Sequence, residues 1–226
     1  MFKVLLVLAL VFSFQIAAYA APCYGTNMPK KKQFFAGLQT HSIFKRTLEN
    51  EAGKIRSLQN FLLISYGVFD WLAIDLKVGA GNLKQHPVGN DEMDYQTGFA
   101  GGYGFRLKAY DKDNLKMIFG FQHISVHPYS IHLGDTRHKA ILDDWQFSFL
   151  ASRDIFKVTP YLGLRWSRVD YIHKIEGERK RVMSDLTKDI GLIYGLDIPI
   201  TKKTWINLEG QVFDSYALAC SINYKF

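Results

Sequence analysis

Apolar and polar residues alternate without a break from Tyr216 to Phe226. Tyr216, Leu218, Cys220, Ile222, Tyr224 and Phe226 share one face, and Ala217, Ala219, Ser221, Asn223 and Lys225 the other. A period of two is that of a β-strand, and the length suits one oblique crossing of a bilayer, about 9–11 residues. The same alternation recurs over 72–79, 96–108, 160–167, 189–198 and 206–212. Weaker stretches of the same kind near 33–44, 57–68, 115–126 and 140–151 bring the predicted count to ten strands.

The connections alternate too. Short links rich in turn residues fall at Gly67–Asp70, Asp111–Asn114, Arg153–Lys157 and Thr201–Thr204, and longer polar links near 45–56, 82–94, 127–139 and 170–185. Short turns on one side and long loops on the other are the asymmetry of an outer-membrane barrel. An even number of strands returns both ends of the chain to the periplasmic side. The fifth external link, around Asp214-Ser215, is short and departs from the pattern. Tyr66, Trp71, Tyr110, Trp205 and Tyr224 cluster beside the short turns, where an interfacial aromatic girdle would sit.

The N-terminus fits export. Lys3 precedes an apolar run from Val4 to Ala17, and Ala18-Tyr19-Ala20 offers small residues for signal-peptidase cleavage after Ala20. Cys23 lies close to that site, but Pro22 stands where lipoprotein processing wants a small residue. Hydrophobic residues make up 48% of the chain yet are scattered, which suits strands that spend every second residue on lipid. The two cysteines cannot build a disulfide framework. The net charge of +7 is dispersed, and no basic helix or aromatic-studded basic strand points to nucleic acid.

The terminal aromatic strand and the alternating connections resemble small bacterial outer-membrane β-barrel proteins of the OmpA/Opa-like superfamily, over nearly the whole mature chain. That resemblance implies an all-β, up-and-down antiparallel transmembrane barrel of about ten strands. The expected division is a signal peptide at 1–20, a periplasmic leader at 21–32 and the barrel at 33–226. It also implies that Tyr224 and Phe226 act as an assembly signal for the barrel-assembly machinery, and that outer-membrane lipid and lipopolysaccharide surround the wall. A soluble lipocalin-like barrel also alternates. It would need its apolar face inside, whereas here the face opposite the apolar one is Gly, Ala and charge.

Both charge signs fall on that inner face: Asp75, Asp189, Asp197 and Glu209 with Lys77, Arg106, Lys108, Arg165 and Lys225. Mixed signs can pair across a narrow bore, and a ten-stranded barrel is little larger than the eight-stranded size that side chains can fill. The histidines His41, His86, His123, His127, His132, His138 and His173 all fall in or beside external loops, without a carboxylate or thiol at metal-ligand spacing, so neither a metal nor a cofactor is expected. On the lipid-facing parity, His123 and Ser125 on one strand and Asp143 on the next can meet as base, nucleophile and orienting acid. That arrangement is similar to the outer-membrane lipid A 3-O-deacylases, from which this chain departs at Val126, in a longer loop to the acid, and in strand placement. Asp144 is expected to point inward, so a one-residue bulge would exchange the two acids. Asp94, His41 and Asp170 have no spacing that supports a surface protease.

The function expected is therefore that of a non-enzymatic outer-membrane barrel. Its lumen is charge-lined and either plugged or narrowly conducting, and its loops contact ligands or surfaces. The alternatives are a hydrolase using His123, Ser125 and Asp143, and a small-solute porin.

Overall fold

The computed structural model describes residues 25–226; the expected signal peptide, its cleavage site and Cys23 lie outside them. Twelve strands follow in order: β1 (Phe34–Thr47), β2 (Lys54–Phe69), β3 (Leu72–His86), β4 (Met93–Lys112), β5 (Leu115–His127), β6 (Ile131–Leu133), β7 (Thr136–Arg153), β8 (Thr159–Ile175), β9 (Glu178–Met183), β10 (Ile190–Pro199), β11 (Thr204–Val212) and β12 (Ser215–Lys225). All but β6 and β9 form an antiparallel sheet, which closes on itself because β1 pairs with β12 and β7 with β8. One hydrogen-bonded row runs from Thr159 through Asp197, Asn207, Ser221, Gln39, Phe61, Gly79, Ala100, Val126 and Leu142. It returns to β8 at Tyr171, a stagger of 171 − 159 = 12 residues. Closure with such a stagger inclines the strands by about 35–45° to the barrel axis.

The ten wall strands are those the alternation predicts, with longer upper ends. β4 begins at Met93, and β8 continues to Ile175 before folding back as β9. The 170–185 stretch, expected as a loop, is thus a hairpin in the wall. It stands above the two-residue turn at Phe213-Asp214, where β11 and β12 stop short, and joins β1 through the Leu48–Ser184 bridge. Without this hairpin the upper wall would be open over the short strands.

The alternation reverses its chemistry along the strands. On β3 the outward residues Ile74, Leu76 and Val78 are about half exposed, while Asp75 and Lys77 are buried inside. Two turns of the pleat higher, the outward residues are Asn82 and Lys84 and the inward one is Leu83. β2 does the same, with Lys54 and Arg56 outside and Ile55 inside, above an outer face of Leu58, Leu62, Ile64 and Tyr66 that Asn60 alone interrupts. The upper interior is an apolar core that includes Leu48, Ile55, Leu83, Tyr95, Ile124 and Leu142. The lower storey has the faces of a wall in hydrocarbon, and the upper those of a wall in water. At the lower edge Phe34 stacks on Phe226 (4.3 Å) and Phe69 on Trp71 (5.4 Å), so the chain end is tied to the first strand. Trp205 meets Phe35 edge-on and Tyr224 meets Phe226.

The two storeys make a stability contrast. In lipid vesicles, Leu76→Arg, in the middle of the outward apolar run of β3, should lower unfolding stability by about 2–4 kcal/mol. His86→Arg, on the same face above the belt, should change it by no more than about 0.5 kcal/mol. Urea titration of the refolded variants measures both.

Candidate functional site

Two places bring polar side chains together: the bore and the outer wall. In the bore, Arg46 donates to Asp214 Oδ2 (2.7 Å), Ser167 Oγ (2.7 Å), the Ser167 carbonyl (2.8 Å) and Ser184 Oγ (3.1 Å). Arg165 reaches the same Asp214 Oδ2 at 2.6 Å and also bonds Gln211 and Ser215. Local backbone features create this cluster. A β-bulge at Phe44-Lys45 leaves both side chains outward and turns Arg46 in. Phe213 sits at φ 80°, rare for a bulky residue, so the chain reverses in two residues and presents Asp214 to the bore. Gly191 leaves room for that carboxylate, since a Cβ there would collide with Asp214 Oδ1.

Lower in the bore Arg106 grips Asp75 with two bonds (2.8 and 3.0 Å) and donates to Ser65 Oγ (2.9 Å). It also donates to the Asn27 carbonyl at 2.5 Å. Residues 25–27, read from sequence as part of a periplasmic leader, therefore enter the lower mouth of the barrel, with Thr26 buried. Asn207 donates to Asp197 (2.8 Å) and to the Tyr161 hydroxyl (2.9 Å), which donates to Glu209 (3.0 Å). Lys77 donates to Gln39 (2.8 Å). Of the charges expected in the bore, Asp75, Lys77, Arg106, Arg165, Asp197 and Glu209 are buried there. Lys108 instead turns to Asp111 at the lower rim (2.7 Å), and Asp189 is buried at the head of β10. One void of about 10 Å³ lies beside Arg106 and Gln122 and another of the same size beside Arg46 and Asp144. Each is the size of a single water.

On the outer wall β5 and β7 place Ser125 opposite Asp143, both facing outward. Ser125 Oγ lies 2.5 Å from Asp143 Oδ1 and 2.8 Å from His127 Nε2. A carboxylate only accepts, so the single hydroxyl proton points to Asp143 and His127 Nε2–H donates to Oγ. The imidazole on the serine is thus His127 and not His123, which the sequence suggested as base. His123 stands next to the acid, with Nε2 3.8 Å from Asp143 Oδ1 and its ring against Trp145 (4.2 Å) and Tyr103 (5.3 Å). Strand periodicity explains the substitution, because residues 123, 125 and 127 share one face and either neighbour is two residues from the serine. His127 pairs across the ladder with Phe99, the last apolar outward residue of β4, so the cluster lies at the upper border of the apolar belt. Asp144 points inward, as its parity requires, and His41 is buried in the bore against Gln59 (3.2 Å). Asp94 pairs with Lys84, and Asp170 faces outward beside Asp143. Among the described residues no three His, Cys, Asp or Glu side chains converge to hold a metal ion.

No protein-family model matches the chain, and no curated protein matches it. Among solved structures it is similar to the outer membrane protease OmpT from Escherichia coli, at 11% identity over 89% of this chain and 99% of that one, with a TM-score of 0.47. It is also similar to the translocator domain of the autotransporter NalP from Neisseria meningitidis, at 13% identity over 89% and 91%, with a TM-score of 0.46. The outer membrane protein OprG from Pseudomonas aeruginosa matches at 9% identity over 88% and 98%, with a TM-score of 0.45.

Proposed function

We propose that this chain is an outer-membrane β-barrel, small-barrel in pattern like the OmpA/Opa-like proteins, whose bore is sealed and whose contacts are made by its outer wall and loops. The observation that carries the reading is the Arg46–Asp214–Arg165 cluster. It spans the bore from β1 to β8 through the β11–β12 turn. Above it lies an apolar core, below it the Arg106–Asp75 grip and the inserted 25–27 segment. Packed side chains facing a solute from either end support the sealed bore over the porin alternative. The apolar belt, its aromatic lower edge and the terminal Tyr224 and Phe226 support export, engagement of the barrel-assembly machinery and residence in outer-membrane lipid. In planar bilayers the folded protein should pass no unitary current; reproducible discrete steps would end the sealed-bore reading. Arg46→Ala strands part of a buried charge network and should cost about 3–5 kcal/mol in unfolding titrations.

One observation favours a second reading, hydrolysis of lipid esters at the outer leaflet: Ser125 is hydrogen-bonded to both a carboxylate and an imidazole on the lipid-facing wall. Attack of Oγ on an acyl carbonyl forms the Oγ–C bond and passes the hydroxyl proton to Asp143. The alcohol leaves with the proton that Asp143 took up while His127 Nε2–H holds the oxygen in place. Water then attacks the acyl carbon, passes one proton through Asp143 back to Oγ, releases the fatty acid and regenerates the serine. Mass spectra of outer-membrane lipid incubated with the protein test this. Loss of an acyl chain should fall at least about 10³-fold in Ser125→Ala and at least about 10²-fold in His127→Ala. His123→Ala should do less. Lipid left intact by the wild type removes the hydrolase.

A further inference from the structure

Beside Ser125 the outer wall carries polar groups that a serine attack does not use. Asp143 and Asp170 are direct partners across the β7–β8 ladder, on the same outward face. Like charges so placed are destabilising. Their hydrogen bonding is uneven. Asp143 Oδ1 receives Ser125, and Asp170 Oδ2 is held by Arg181. Asp170 Oδ1, on a side chain only 5% exposed, is buried without a hydrogen-bond partner, and His123 Nε2 is in the same condition. A buried carboxylate oxygen left without a donor is costly. The wall therefore presents an acceptor across the ladder from a second carboxylate, which has His123 on its other side.

The surroundings define what fits. A metal ion lacks its ligand set here. An anion is repelled by the two carboxylates. A cation that carries N–H donors satisfies Asp170 Oδ1 and relieves the Asp143–Asp170 repulsion together. Positive charge stands close by as well. Arg181 holds Asp170 from β9, and Arg168 lies on the same face two residues toward the belt, bonded to the Met183 sulfur. Negative and positive groups lie side by side at the level where the apolar belt ends.

Resting on the outer-membrane placement proposed above, we infer that this wall site binds the zwitterionic headgroup of an outer-leaflet phospholipid bearing a primary ammonium. The ammonium donates to Asp170 Oδ1 and Asp143, and the phosphate turns toward Arg168 and Arg181. The acyl ester linkages of the same lipid then lie just below, along the face that carries Ser125. A quaternary ammonium has no N–H and leaves Asp170 Oδ1 unsatisfied, so the site discriminates by donor and not by charge alone.

The test uses the full barrel, Ser125→Ala to block turnover, inserted in nanodiscs of equal phosphatidylethanolamine, phosphatidylcholine and phosphatidylglycerol. Lipids retained after exchange into detergent are counted by native mass spectrometry. Phosphatidylethanolamine should be retained about tenfold over either of the others, the effect of one charge-assisted hydrogen bond. Asp170→Asn should abolish the preference while the heat-modifiable folded band stays on the gel. Equal retention of the three lipids by an inserted wild-type wall overturns the site, whatever the variants do. So does a preference that disappears in EDTA, since the occupant would then be a divalent cation. A chain that never inserts refutes the membrane placement instead, and a lipid held but left uncut by protein with Ser125 intact refutes the hydrolase alone.

Discussion

The carboxylate of Asp214, shared by Arg46 and Arg165, is the interaction around which the barrel is organised. It has no exposure to water, and neither guanidinium has more than a trace. A buried carboxylate is tolerable only when paired and hydrogen-bonded, and here four groups are bent to that end. The β1 bulge turns Arg46 inward, Phe213 takes up a left-handed backbone, Gly191 gives up a side chain, and Ser167 donates its hydroxyl. Each of these is unfavourable or neutral alone. Together they convert the shortest external connection into the cross-brace of the bore.

That brace also accounts for the uneven wall. β10, β11 and β12 end at the level of Asp214, whereas β2, β3, β4, β7 and β8 continue upward. The β8–β9 hairpin fills the missing arc, and Ser184, just past its end, accepts at Oγ from both Val169 N–H and Arg46. The closing element is therefore bound to the same arginine that reaches across to Asp214. Above this level the interior needs no charge pairing, and the sequence places Leu, Ile and Tyr there. The reversal of inside and outside chemistry along β2 and β3 marks where the surrounding medium changes from hydrocarbon to water.

Ten strands, their order and their faces were legible from periodicity, since a period of two assigns every residue in an unbroken strand to one side. The buried charges Asp75, Lys77, Arg106 and Arg165 followed from the same parity. Arg46 and Asp214 did not. A bulge breaks parity at Lys45, and a two-residue turn has no periodicity at all, so the two residues that matter most in the bore lay where the rule is silent. The β9 strand was hidden for a different reason. Glu178–Arg181 is exposed and charged, and the strand's two apolar residues, Val182 and Met183, are adjacent and so show no alternation; β9 pairs along the edge that β8 offers it. At the outer wall parity brought Ser125 and Asp143 together but left two histidines equivalent, and only the ring placement of His127 separates them.

The outer-wall cluster has no comparable structural account. Ser125, Asp143, His123 and Asp170 occupy outward positions whose lower neighbours on the same strands are Phe119, Phe121, Phe147 and Trp166. Asp170 holds Arg181 of β9, but apolar residues at the other three positions would satisfy the belt at no polar cost, because those side chains face away from the bore. Ionisable groups kept at the edge of an apolar wall, facing away from the protein interior, oppose stability rather than serve it. Their retention is explained by what lies outside the barrel. On the outer-membrane placement proposed above, the molecule on that side is lipid, and a headgroup or the ester just beneath it is what this chemistry would meet.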